Sequence, residues 1–218
     1  MGWWVTGVLN QPNGQVILVS WIVWVVLSIT LHELAHGWAA IYEGDETPRE
    51  LGHMTPNPLV HMGLFSFVAL AVIGIAWGQM PVNPDRMRRR YSDALVAVAG
   101  PAMNLALAVL ATLLLWAWAA AGPSVTSNPV LQTNMREFLA IGVWLNIILM
   151  IFNLAPAPPL DGSRIIASFN AGYRRLFFES ENGRWLGLGL FVIVFITADD
   201  LLFPLGSFIS GTMIGLVN

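Results

Sequence analysis

Within an apolar run from Val16 to Ala40 stands His32-Glu33-Leu34-Ala35-His36, three ionisable residues at a spacing that can do chemistry. On a helix, residues four apart share one face and lie about 6 Å apart along the axis. His32 and His36 can then offer imidazole nitrogens to one Zn²⁺, with Glu33 close enough to take a proton from a water beside it. The chemistry such a group serves is hydrolysis. Ionisable side chains at membrane depth cost ~3 kcal/mol or more each, so their presence in this run points to a working site. A catalytic zinc takes a third protein ligand and leaves one position open. The candidate is Asp161, in Asn153-Leu154-Ala155-Pro156-Ala157-Pro158-Pro159-Leu160-Asp161-Gly162. Three prolines end the preceding helix there and free backbone groups that must find other partners. Taken by itself the segment also reads as an ordinary helix exit with a turn aspartate. The histidine motif and the topology argued next favour the ligand.

The elements that must position these residues are membrane helices. The chain is 218 residues long, 56% hydrophobic and 11% charged, with mean hydropathy +0.66, where soluble domains carry about 25% charged residues. Long apolar runs, without ~10-residue alternating segments, predict an all-α polytopic membrane protein rather than a β-barrel. Cysteine is absent, which excludes a disulfide framework or thiolate metal site. Nothing in the charge pattern gives a nucleic-acid footprint. No basic segment precedes an apolar core at the N-terminus, so a cleaved signal peptide is not expected. Trp3 and Trp4 suit a bilayer surface.

Five apolar stretches stand out, at about 16–41, 62–79, 93–121, 136–156 and 185–217, the last interrupted by Asp199-Asp200 and Pro204. They predict about four to six transmembrane helices. The whole chain, 1–218, reads as one domain, with a core over about 16–170 and C-terminal membrane segments over about 185–217. All ten basic residues are arginine, with four each in 80–92 and 157–184 and none in 122–135. The positive-inside rule puts the two rich loops in the cytoplasm. If 62–79 crossed fully, His36 would lie at the opposite surface from Asp161. If it dips in and returns, the first and fourth stretches run the same way and their ends meet. A re-entrant segment near the active site is therefore expected, with the site near the cytoplasmic face. The non-helical look of Gly52–Pro58 suits it.

The chain resembles the site-2 protease family of intramembrane zinc metalloproteases, in its compact prokaryotic group without PDZ or CBS modules. The resemblance rests on His32-Glu33-x-x-His36-Gly37, on Ala99-Gly100-Pro101-Ala102-Met103-Asn104, and on Asn153 through Gly162, which fits Asn-x-x-Pro-x-Pro-x-Leu-Asp-Gly. It spans about residues 16–170. It implies one zinc ion per chain held by His32, His36 and Asp161, with Glu33 as general base. It also implies that Asn153 hydrogen-bonds an unwound substrate backbone or a neighbouring loop. Asn104 either orders the core beside the site or ties two helices together. Gly100-Pro101 reads first as close helix packing with a kink. His53 is a candidate for lining the site, although His53 and His61 both have the simpler reading of bonding backbone in their own segment.

The implied activity is an endopeptidase acting in or near transmembrane helices of single-pass or tail-anchored substrates, in the plasma (inner) membrane of a prokaryote. Substrate could be held by strand addition along the re-entrant segment, with 52–61 as the expected edge. Two alternatives stand beside it. A zinc peptidase acting on peptides at the membrane surface usually takes a downstream glutamate as third ligand, and no Glu lies between Glu50 and Glu137. A non-catalytic helix-binding pseudo-protease would be expected to show a degraded motif, and none of the three is degraded.

Overall fold

In the computed structural model of the protein, which describes residues 3–216, a short helix α1 (Trp4–Leu9) precedes the long α2 (Gly14–Tyr42). Met1, Gly2, Val217 and Asn218 lie outside the described residues, so the expected last apolar stretch is seen only to residue 216. A single turn, α3 (Thr47–Glu50), leads to α4 (Pro58–Ile73). Then come α5 (Ser92–Val125), α6 (Pro129–Asn153) and α7 (Asp161–Phe169). One turn of α8 (Ala171–Arg174) precedes α9 (Gly183–Ile196) and α10 (Ala198–Gly215). No strand occurs among the described residues.

Three helices, α2, α5 and α6, are long and apolar enough to cross a membrane, and α9 with α10 makes a fourth if the pair, bent by 60°, is one span. This is the all-α polytopic membrane architecture expected, at the low end of the helix count. The spanning helices pack on each other, α5 along both α6 and α2. Small residues permit close approach: Ala108, Ala111 and Val143 are fully buried between them. At Gly142 the indole of Trp24 fills the space a side chain would need, and its Nε1–H donates to the Phe138 carbonyl. Leu113, Trp116, Phe65 and Phe208 are exposed on the outside, as lipid-facing residues should be.

The stretch predicted at 62–79 is two limbs. Asn57 caps α4 through the Leu59 N–H with Pro58 at the first position. Gly63 (φ 65°) breaks the helix once and Gly74 (φ 78°) ends it in the left-handed cap that glycine favours. The chain then runs back beside α4. The Gln79 N–H donates to the His61 carbonyl, and Ser66 Oγ bridges the N–H and carbonyl of Trp77. Two residues of the return limb therefore span five of helix, roughly 7 Å by either count, so the limb is extended. It ends where the Asn83 N–H donates to Asp45 at 2.6 Å. Residues 58–83 thus leave and regain the same end of the bundle, the re-entrant course expected from the arginine pattern. The segment 52–57 is non-helical as expected, but Pro58 opens a helix, so the extended run lying beside α4 is the return limb at 75–83 rather than 52–61.

At that end the loops are tied by buried charge. Glu43 accepts from Ser92 Oγ at 2.5 Å and faces Arg89 at 3.4 Å. Asp45, fully buried, also accepts from the N–H and hydroxyl of Thr47. Burial pushes the Asp45 carboxyl up, but those bonds, the Asn83 bond and nearby Arg86 outweigh it and hold it below the ordinary range.

Candidate metal centre

The metal-competent cluster is built from three helices. α2 presents His32 and His36 one turn apart on its buried face. α6 stops at Asn153 because Pro156, Pro158 and Pro159 follow it. The chain turns through 154–160 and restarts as α7, with Asp161 in its first turn, where the helix dipole favours a carboxylate. There Asp161 Oδ2 lies 3.2 Å from His32 Nε2, Asp161 Oδ1 lies 3.3 Å from His36 Nε2, and the two Nε2 atoms are 3.0 Å apart. Ligands about 2.0–2.1 Å from a tetrahedral centre are separated by about 3.3 Å. Each separation is of that size, with Asp161 turning one oxygen toward each imidazole, and these three side chains are the one group of this kind among the described residues.

The rings are held in the tautomer that a metal requires. His36 Nδ1 donates at 2.7 Å to the Val96 carbonyl, which can only accept, so the Nε2 lone pair faces the cluster. His32 Nδ1 pairs with Asn104 Oδ1 at 2.6 Å. α5 makes room at Gly100. A Cβ there would stand 2.5 Å from His32 Nε2 and closer to His36 Nε2, in the space an ion between them would fill. The donor set and this cradle fit zinc.

Glu33 is buried beside the cluster. Its carboxyl lies against Gly78 of the return limb, whose Cβ, if present, would stand 2.6 Å from Oε1. His32, Glu33, His36 and Asp161 are thus brought together, with Asn104 bonded directly behind His32. Asn153 and His53 are not part of that group. The Asn153 amide donates to the Leu149 carbonyl of its own helix. His53 has its ring 6.2 Å from that of His61, and His61 Nε2 bonds the Thr55 carbonyl at 2.7 Å. Burial and the facing His61 push the His53 imidazole below its ordinary range.

Four contributors escaped the sequence reading. The Val96 carbonyl and the backing by Gly78 carry no sequence signal, since a backbone group looks the same everywhere. Gly100 was legible only as a packing glycine. Asn146 did leave a signal, a lone amide in the apolar run of α6. It is fully buried, accepts from Asn104 Nδ2 at 3.1 Å and donates to the Gly142 carbonyl at 2.9 Å.

A bundle of membrane-spanning helices around a His-His-Asp donor group defines a multi-pass membrane zinc metalloprotease. Residues 20–120 and 119–196 match peptidase family M50, and the chain belongs to that family, the site-2 proteases. Among its relatives are the proteins named "Putative zinc metalloprotease YwhC" of Bacillus subtilis and "Putative zinc metalloprotease Rip2" of Mycobacterium tuberculosis. YwhC is 34% identical over 196 residues, 88% of this chain and 84% of the relative. Rip2 is 30% identical over 171 residues, 73% of this chain and 61% of the relative. Rip2 of Mycolicibacterium smegmatis is 31% identical over 154 residues, 67% and 54% of the two chains. No solved structure matches the chain significantly.

Proposed function

We propose that this protease is an intramembrane endopeptidase, cutting peptide bonds in or near the transmembrane helices of its substrates. The observation that carries the reading is depth. His32 lies ten residues, about 15 Å, inside the Tyr42 end of an apolar 29-residue helix. A site there meets segments that are themselves in the membrane.

His32 Nε2, His36 Nε2 and Asp161 would hold the ion. When bound, zinc supplies a Lewis acid that polarises the scissile carbonyl and makes water easier to deprotonate. Glu33 accepts the proton of the attacking water on a carboxylate oxygen and returns it to the departing amine nitrogen, so that one amide bond breaks and one water is consumed. A helical substrate hides its carbonyls and must be unwound before attack. The return limb offers the means. Its N–H groups at Trp77 and Gln79 are used toward α4, while those of Ala76, Gly78 and Met80 have no partner among the described residues. That alternation is a free strand edge beside Glu33, to which an extended peptide can add. The cluster lies at the end where nine of the ten arginines fall, so the positive-inside rule supports a site near the cytoplasmic face of a prokaryotic plasma membrane, with single-pass or tail-anchored proteins as substrates.

The test is reconstitution in proteoliposomes with a single-pass substrate, comparing wild type with Glu33→Gln and Asp161→Ala, with zinc counted by elemental analysis. The expected result is one zinc in wild type and Glu33→Gln, loss in Asp161→Ala, and cleavage by wild type alone. Mass spectrometry should place the cut in or beside the apolar segment. Cuts confined to the soluble tail would replace this reading with a surface peptidase.

A further inference from the structure

We propose that Asn146 is a positioning residue for the metal centre, acting through Asn104 to set which nitrogen of His32 is free. The proposal rests on His32 being a metal ligand. The Gly142 carbonyl can only accept. Asn146 must therefore turn its Nδ2–H to that carbonyl, at 2.9 Å, and this leaves its Oδ1 toward Asn104. Asn104 must answer with Nδ2–H, at 3.1 Å, which turns its own Oδ1 to His32. His32 must then donate from Nδ1, at 2.6 Å, and its Nε2 keeps the lone pair that faces His36 and Asp161.

Each link has one allowed polarity, and the chain runs across α6, α5 and α2. An amide alone could present either end to an imidazole. Were Asn104 reversed, its Nδ2–H would face His32 and favour an acceptor Nδ1, with the proton moved to Nε2, where a metal cannot bind. Both amides are fully buried, so no solvent water is at hand to satisfy a reversed arrangement. His36 needs no such relay because its partner is already a backbone carbonyl.

Co²⁺ and Zn²⁺ affinities of purified, metal-stripped protein test this, by chelator competition and by the visible absorption of bound Co²⁺. The expected loss for Asn146→Leu is about 10–100-fold in affinity, the range typical of outer partners of metal-bound histidines. An aspartate at 104 accepts from His32 whichever way it is turned, so nothing is left for residue 146 to orient. Asn104→Asp combined with Asn146→Leu should therefore recover affinity to within a few-fold and restore the Co²⁺ spectrum, which a mere packing role for Asn146 would not produce. Wild-type affinity in Asn146→Leu, or a double variant as weak as the single one, overturns the proposal. If Asn146→Leu does not fold, Asn146→Thr takes its place, because its hydroxyl can donate to Gly142 and accept from Asn104. Affinity within a few-fold of wild type is then expected, and a tenfold loss overturns the idea. His32→Ala separates the two readings. Metal affinity unchanged in that variant refutes His32 as a ligand, whereas its loss there beside an unaffected Asn146→Leu refutes only the relay.

Discussion

Gly78 of the return limb lies directly against the Glu33 carboxyl, with no room between them for a methyl group. The limb is therefore both the wall that aims the proposed base and the edge proposed to hold the peptide. Gly78→Val should displace Glu33 or the limb and lower cleavage by at least about tenfold, the scale of losing a positioned acid–base group. Zinc content should stay at one per chain, because the atoms nearest a side chain at Gly78 belong to Glu33 and Ile29 rather than to His32, His36 or Asp161. Elemental analysis beside a cleavage assay decides it, and loss of zinc would refute the separation of roles.

Gly100 predicts the opposite pattern. Its Cβ would occupy the space between the two Nε2 atoms, and Gly100 sits inside α5, where alanine has no backbone penalty. Gly100→Ala should bind zinc at least tenfold more weakly, because a methyl that close to both imidazoles forces them out of the donor geometry, and the metal-free protein should melt lower than metal-free wild type for the same reason. Retained zinc would show that the cradle is not where the ion sits.

The free edge of the return limb gives a kinetic test. Ala76→Pro removes an N–H that bonds nothing internally, so folding and zinc should survive. If a substrate strand adds there, KM should rise several-fold with a smaller change in kcat. Unchanged KM across several substrates would remove strand addition from the mechanism.

Asp45 anchors the end of that limb, and its depressed pKa sets the sign of a pH effect. A carboxyl whose folded value lies below its unfolded value, about 3.9, contributes its full stability above that value and loses it as pH falls through the folded one. Asp45→Asn should cost about 1–3 kcal/mol at pH 7, the scale of losing a charged acceptor for buried donors. The gap to wild type should be flat from pH 8 to 5 and shrink below about 4. Denaturant unfolding in detergent at several pH values measures it. A gap that widens toward acid would contradict the assigned direction.

Much of this protein is written locally. His32 and His36 share a helix face because four residues make about one turn, and an apolar run of that length must be a membrane helix. Pro156, Pro158 and Pro159 end α6 wherever it is placed, which leaves Asp161 at the start of a new helix. Arginine distribution reported the re-entrant course, because placing charge across a bilayer is costly enough to mark the chain.

Tertiary structure alone decided what lies behind and around those residues. The Val96 carbonyl that fixes His36, the Gly100 cradle and the Gly78 wall are backbone features, and a backbone group acquires a partner only when helices far apart in sequence meet at a particular rotation. The same holds for the extended limb, which 52–61 seemed to offer by composition and 75–83 supplies in fact. Gly74 ends α4 there, and the chain can return only along the helix it has just left. Asn146 lies between the two cases. Its amide in an apolar helix was visible as a residue needing partners, but its partners in α5 and in its own preceding turn, and through them its link to His32, exist only once α6, α5 and α2 are packed together.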